Sequence, residues 1–182
     1  MTLRTVGHGA QAADELVDLL ASAGVTSVVD VRRFPGSRRH PHFGRDEMAR
    51  WLPEAGIAYR WEPELGGRRA PVEGSPHLAL RNSGFRAYAD HMETPEFGTA
   101  LAEVVAGAEA APTAVLCAEG LWWNCHRRLL ADAVVLRHEV EVEHILPDGR
   151  RSAHTPTEGV RRDGDRLVYD VGVTPPLGGM PA

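Results

Sequence analysis

The chain has 182 residues, with 20 basic and 25 acidic side chains, so its formal net charge of −5 gives no overall attraction for nucleic acid. Its length suits one domain with a substantial core, and its apolar runs fall far short of the roughly 18 residues that a membrane span needs. The N-terminal segment MTLRTVGHGAQ has no apolar signal-peptide core, and two cysteines do not make a disulfide framework. We therefore expect a cytoplasmic protein without membrane association.

The N-terminal part of the chain has the pattern of a β-α-β unit. A strand is predicted over Leu3 to Gly7, a helix over Ala12 to Ala23, and a second strand over Thr26 to Val31. Units of this spacing are right-handed and have parallel strands. His8 follows the first strand, and Asp30 and Arg32 lie where the second strand ends. Ligands of open α/β sheets bind at such strand ends, so these three residues are candidate site residues.

A basic loop follows the second strand, over Arg32 to Phe43, with four arginines and two histidines in twelve residues. Its prolines and glycine predict irregular structure. It is either a solvated basic loop or an anion clamp over the carboxyl edge of the sheet. Because every basic residue of the chain is arginine, such a clamp would use guanidinium groups, which suit bidentate binding of phosphate or carboxylate. Arg32, Ser37 and Arg38 are its candidate substrate contacts, and Asp30 can instead serve to fix Arg32.

The remaining elements complete an α/β pattern. Further helices are predicted over residues 45–55, 84–92 and 95–108, strands over 57–61, 113–116 and 140–146, and a hairpin around 162–169. Residues 68–82 are predicted to form an exposed insertion. The predicted fold is a three-layer α/β/α domain over residues 1–173 with a mostly parallel sheet of about five strands and a small C-terminal hairpin. Residues 174–182 are predicted to be a disordered tail.

The two cysteines of the chain lie between the strand at 113–116 and the helix that follows it. Asn124 is a suitable N-cap, which would place Cys125, His126 and Arg127 in the first helical turn, where backbone N–H groups favour an anion. Three chemistries fit Cys117 and Cys125: a thiol nucleophile, a metal site with His126 and a remote histidine, or a redox pair. The alternative is that both are buried as small apolar residues.

Two spacing arguments limit these chemistries. The Cys-x7-Cys-His spacing is no standard zinc pattern, so no metal ligand is predicted, and the sequence does not identify a cofactor. Rhodaneses and cysteine phosphatases place an arginine six positions after their cysteine. The corresponding residues here are Trp123 after Cys117 and Ala131 after Cys125, so neither activity is predicted.

Several motifs together resemble one known family. They are Thr5-Val6-Gly7-His8, Val29-Asp30-Val31-Arg32 with Pro35, Ser37 and Arg38, then Tyr59, Leu65-Gly66, Cys117-Ala118-Glu119 and Cys125-His126-Arg127. This combination resembles the bacterial and archaeal family catalogued as domain of unknown function 488, over most of the chain. Because that family is largely uncharacterised, the resemblance implies a shared site at several strand ends but no reaction.

These observations predict a small enzyme that acts on a phosphorylated, nucleotide-like or other anionic substrate. The predicted catalytic residues are Cys117, Cys125, Glu119, His126 and His8, and the predicted substrate-binding residues are Asp30, Arg32, Ser37, Arg38 and Arg127. Two alternatives stay open. One is a nucleotide or nucleic-acid binding module, in which the basic loop grips phosphates and the tryptophans stack on bases. The other is a regulatory interaction domain.

Overall fold

The fold is described here from a computed structural model, which describes residues 1–36 and 39–173. Six strands form the main sheet: Thr2–Gly7 (β1), Ser27–Asp30 (β2), Ala58–Trp61 (β3), Thr113–Cys117 (β4), Glu141–Ile145 (β5) and Arg151–Ala153 (β6). Their order is β3-β2-β4-β1-β5-β6. All neighbours among β1 to β5 are parallel, and β6 pairs with β5 antiparallel. The predicted mostly parallel sheet is confirmed, with one more strand than expected.

Helices cover both faces of this sheet. They are Ala13–Ser22 (α1), Arg45–Glu54 (α2), Ser83–His91 (α3), Pro95–Ala110 (α4) and Arg127–His138 (α5). Side chains of a strand alternate between faces, so Val28 and Leu116 pack with α1 and α2, whereas Val29 and Val115 pack with α3, α4 and α5. The two apolar clusters make the predicted three-layer α/β/α arrangement. Cys117 belongs to the cluster with α3, α4 and α5.

The C-terminal part adds the predicted hairpin, formed by Val160–Asp163 (β7) and Arg166–Tyr169 (β8) in antiparallel register. Residues 68–82 contain no helix or strand, but their prediction as an exposed insertion is only partly right, since His77 and Leu80 are buried. Within residues 1–36 and 39–173, no helix is long and apolar enough to cross a bilayer. The predicted disordered tail, 174–182, lies outside the described residues.

One predicted helix boundary is wrong. Asn124 does not cap α5, because Trp122–Asn124 forms a 3-10 turn and the backbone of Cys125 is extended, with φ −123° and ψ 152°. The extended residue Cys125 lies outside the helix, although its carbonyl accepts from the N–H of Arg128 at 3.1 Å. The helix therefore begins at Arg127, with His126 at its N-cap.

The pairing of β1 with β4 positions the segment that carries the cysteines. Gly7 lies opposite Cys117, and the ladder continues beyond the strands through His8 N–H to the Cys117 carbonyl (3.0 Å) and Gly9 N–H to the Ala118 carbonyl (2.9 Å). A Cβ atom at Gly7 would lie 1.8 Å from the carbonyl oxygen of Glu119. Only glycine permits this close approach of the two backbones.

Candidate functional site

A cavity of about 520 Å³ opens at the carboxyl ends of β1, β2 and β4. It is lined by six of the residues selected from the sequence: His8, Arg32, Cys117, Glu119, Cys125 and His126. Parallel strands of neighbouring β-α units end at one edge, so residues distant in sequence meet there. Ser37 and Arg38 lie outside the described residues.

The two cysteines and His126 form one compact cluster in the cavity wall. His126 Nδ1 lies 3.6 Å from Cys125 Sγ and 3.9 Å from Cys117 Sγ. Both cysteines are free thiols and are almost fully buried. Gly67 makes room for the imidazole, since a Cβ there would lie 2.9 Å from His126 Nδ1. Two sulfur atoms and one imidazole nitrogen therefore face each other within reach of a ligand.

The two thiols are electrostatically unequal. The hydrogen bond that Cys117 makes with Cys125, together with burial, raises the pKa of Cys117 well above its ordinary value. Burial by itself would raise the pKa of Cys125 as well. The Cys117 hydrogen bond and the adjacent His126 and Arg127 outweigh it, so the pKa of Cys125 lies well below its ordinary value. The thiol of Cys125 is therefore the more acidic of the two.

Arg127 lies beneath the cavity and has no exposed surface. Its Nε donates to Cys125 Sγ at 3.4 Å, and one terminal nitrogen donates to the carbonyl oxygen of Glu119. Its other terminal nitrogen, Nη1, has no hydrogen-bond partner within the described part of the chain. Arg127 therefore holds the Cys125 sulfur and the loop at Glu119, and its direct contact with a substrate stays a prediction.

Asp30 holds Arg32 in place at the end of β2. Arg32 Nε donates to Asp30 Oδ1 at 2.8 Å, its Nη2 donates to the other carboxylate oxygen, and Tyr59 donates to that same oxygen at 2.8 Å. Asp30 is completely buried, and Arg32 is 6% exposed. Buried ion pairs of this kind satisfy both charges internally. Arg32 is thus a fixed part of the cavity wall whose charge is already compensated.

His8 is tied to the same pair. Because a guanidinium can only donate, Arg32 Nη1 donates to His8 Nε2 (3.1 Å), so the proton of the neutral ring sits on Nδ1 and is donated to the Gly9 carbonyl (2.9 Å). Burial, and then the charge of Arg32, lower the pKa of His8 to about 4. A proton-transfer role for His8 would require the bond to Arg32 to break.

Two arginines that the sequence reasoning did not select also line the cavity, Arg33 and Arg68. Arg33 donates to the Arg68 backbone carbonyl at 3.0 Å, and no ion pair joins either side chain to a carboxylate within residues 1–36 and 39–173. Arg68 has a positive φ of 58°, which is uncommon for a residue with a side chain and recurs at functional sites. Arg68 was not selected from the sequence because the Pro-, Gly- and charge-rich segment 68–82 was predicted to be an exposed insertion.

Glu119 lines the cavity, and the two tryptophans follow it in the chain. The side chain of Glu119 is exposed, and its backbone carbonyl accepts from Arg127. Trp122 is stacked on His144 with ring centres 4.0 Å apart, so that face of its indole is already covered. Trp123 is 43% exposed. Of the two, only Trp123 offers a substantial free surface to a ligand.

Comparison with protein-family models identifies the family to which the chain belongs. A family model described as Domain of unknown function DUF488 matches residues 12–134, which is more than half of the chain. The chain belongs to the DUF488 family. This confirms the resemblance seen in the sequence motifs. No curated protein matches the chain, and no solved structure does either.

The DUF488 match includes most of the site. It spans Asp30, Arg32 and the whole segment from Cys117 to Arg127, whereas His8 precedes it. In chemical terms, this DUF488 chain combines a thiol pair beside an imidazole with a fixed guanidinium beneath them. Such a group can supply a sulfur nucleophile, a dithiol couple or soft ligands for a metal ion.

Proposed function

We propose that this protein is a small cytoplasmic enzyme that binds a phosphorylated, nucleotide-like or otherwise anionic substrate in the cavity and transforms it at the cluster of Cys117, Cys125 and His126. One observation carries the proposal: the cluster and the carboxylate-free arginines Arg33 and Arg68 line the same cavity. Two free thiols support a reducing compartment.

The size and charge of the cavity favour a small ligand. A volume of about 520 Å³ lies in the range of small-molecule sites. Guanidinium groups without carboxylate partners attract anions and match phosphate oxygens in a bidentate manner. The anionic group of the substrate would bridge Arg33 and Arg68. The reacting part of the substrate would then point toward the sulfur atoms of the cysteines. The exposed carboxylate of Glu119, which also lines the cavity, would accept or donate a proton in the reaction.

Nucleic-acid binding is the second candidate, supported by the exposed indole of Trp123, which offers a stacking surface for a base. The net charge of −5 and the covered face of Trp122 weigh against a long footprint. A single-stranded oligonucleotide distinguishes the two, because extended phosphate contacts give an affinity that falls steeply with salt. Binding of the oligonucleotide that is stronger than that of a mononucleotide would favour this alternative.

Calorimetric titration with inorganic phosphate and with adenosine monophosphate tests the anion site. Arg33→Gln and Arg68→Gln should each weaken binding by about tenfold, since a hydrogen bond to a charged group contributes at least about 1.5 kcal/mol. Arg162→Gln is the matched control, because Arg162 is an exposed arginine on the distant β7–β8 hairpin. Wild-type affinity in both Arg33→Gln and Arg68→Gln would rule out the anion site.

Protection of the thiols tests whether anion and cluster share one cavity. In reduced protein treated with a chelator, saturating phosphate should slow alkylation of Cys117 and Cys125 by iodoacetamide. The Arg68→Gln variant should lose this protection while keeping the same alkylation rate without phosphate. An alkylation rate that phosphate does not change would separate the anion site from the sulfur atoms and remove the proposed enzyme.

A further inference from the structure

We propose that Cys117, Cys125 and His126 bind a Zn²⁺ ion and leave one coordination position open to the cavity. The inference goes beyond the proposed function, because the three ligands would hold the ion whatever the substrate is. It also departs from the sequence-based expectation, which found no metal ligand in the spacing of these residues.

The distances within the cluster match a zinc centre. The ligand atoms Cys117 Sγ, Cys125 Sγ and His126 Nδ1 all lie within 4.8 Å of one another. Zn–S bonds of about 2.3 Å and a Zn–N bond of about 2.0 Å at tetrahedral angles place sulfur and nitrogen about 3.5 Å apart. The observed separations are 3.6 Å for Cys125 and 3.9 Å for Cys117. Small side-chain rotations would bring all three atoms into coordination.

The backbone explains how two adjacent residues can both be ligands. Cys125 is extended, and His126 is helical, with φ −57° and ψ −18°. Neighbouring side chains of a continuous strand point to opposite sides. The change of conformation between these two residues instead brings His126 Nδ1 back to the sulfur of Cys125. The late start of α5 is therefore what makes the cluster compact.

The hydrogen bonding around the cluster suits a metal-bound thiolate. Arg127 is completely buried, its Nε donates to Cys125 Sγ at 3.4 Å, and one terminal nitrogen donates to the backbone carbonyl of Glu119. A cysteine binds a metal ion through its thiolate, and a hydrogen-bond donor to that sulfur orients it. Arg127 would therefore hold the sulfur of Cys125 in position for the ion.

Three protein ligands and an accessible fourth position are typical of catalytic rather than structural zinc sites. All three ligands line the cavity that Arg33 and Arg68 also line, so the fourth position would face the proposed anion site. A water molecule or an oxygen atom of the anionic substrate would complete the coordination. Two sulfur atoms and one imidazole favour Zn²⁺ over the harder ions Mg²⁺ and Ca²⁺.

Metal analysis of the purified full-length protein tests this inference. After growth with added zinc and purification without chelators, elemental analysis should find about one Zn per chain, as expected for a specific site. Cys117→Ser, Cys125→Ser and His126→Gln should each lose most of it. His138→Gln, which changes a histidine at the far end of α5, should keep it.

Cobalt substitution of the wild-type protein keeps the test independent of whether the variants fold. Co²⁺ added to metal-free protein should produce the intense sulfur-to-cobalt charge-transfer absorption of a thiolate site, and Zn²⁺ should abolish it. Absence of both bound zinc and this absorption in reduced wild-type protein would refute the metal site. Phosphate binding to the metal-free protein is measured in parallel. If the protein binds no metal but still binds phosphate, the metal site is refuted and the proposed anion site stands.

Discussion

A buried chain of hydrogen bonds should make the protein sensitive to acid. Thr5 Oγ1 contacts His144 Nδ1 (2.7 Å), His144 Nε2 contacts His154 Nδ1 (3.0 Å), and His154 Nε2 contacts Asp132 Oδ1 (2.9 Å). An ionised carboxylate only accepts, so His154 donates to Asp132, His144 donates to His154, and Thr5 donates to His144. All contacts are thereby satisfied with both imidazoles neutral. An added proton on His144 would remove the acceptor that the hydroxyl of Thr5 uses.

The magnitude follows from the pKa of His144. Burial, and then the neighbouring His154, lower this pKa from 6.5 to about 3. Below pH 6.5 the imidazole of His144 becomes protonated in the unfolded chain, whereas in the folded chain it stays neutral down to about pH 3. The free energy of unfolding therefore decreases as the pH falls through this window. Between pH 7 and pH 5 this one group should cost about 2 kcal/mol of unfolding free energy.

Urea unfolding of the wild type and of His144→Gln at pH 7 and pH 5 measures this contribution. Glutamine keeps an N–H for His154 but cannot titrate, so the variant should lose about 2 kcal/mol less than the wild type on acidification. His138→Gln is the control, because the partly exposed His138 is screened by solvent and should change the pH dependence much less. Equal losses in the wild type and His144→Gln would refute the assignment of acid sensitivity to this chain of bonds.

Three further changes test local packing and hydrogen bonding in the fold. Gly7→Ala should destabilise the protein by roughly 2 kcal/mol in urea unfolding, because its Cβ would overlap the Glu119 carbonyl and push the cysteine segment away. Gly107→Ala in α4 should instead stabilise it by about 0.5 to 1 kcal/mol, since nothing lies within 4 Å of the added methyl group; destabilisation would contradict the open space there. Tyr169→Phe removes the 2.9 Å hydrogen bond to Asp132 Oδ2 and should cost about 1 to 3 kcal/mol of thermal-unfolding stability; an unchanged melting temperature would show that this bond contributes nothing.

The sequence pattern predicted those parts of the fold that depend on local apolar periodicity. Continuous apolar residues such as Val28-Val29 and Val115-Leu116 predict strands buried on both faces, and both pairs divide between the two core clusters. The edge strand Arg151–Ala153 escaped prediction because three mostly polar residues carry no period. At Asn124 the local capping preference was overridden by the extended conformation of the following residue.

The position of the site could be predicted from the sequence, but the pairing of its charges could not. Strand ends indicated where His8, Arg32 and Cys117 would meet, since topology alone brings such positions to one edge. The sequence could not tell which arginine charges are already compensated. Arg32 is paired with Asp30, whereas Arg33, the next residue, faces the cavity without a carboxylate within the described residues. That difference depends on partners distant along the chain.

The order of the strands has a practical consequence for anyone who dissects this family. The region recognised by the family model, 12–134, omits β1, β5 and β6, and β1 lies between β4 and β5 in the sheet. A fragment cut to those limits would expose one long side of β4 and would lack the backbone donors of His8 and Gly9 that tether the carbonyls of Cys117 and Ala118. The segment by which the family is recognised is therefore smaller than the unit that can fold and assemble the cavity.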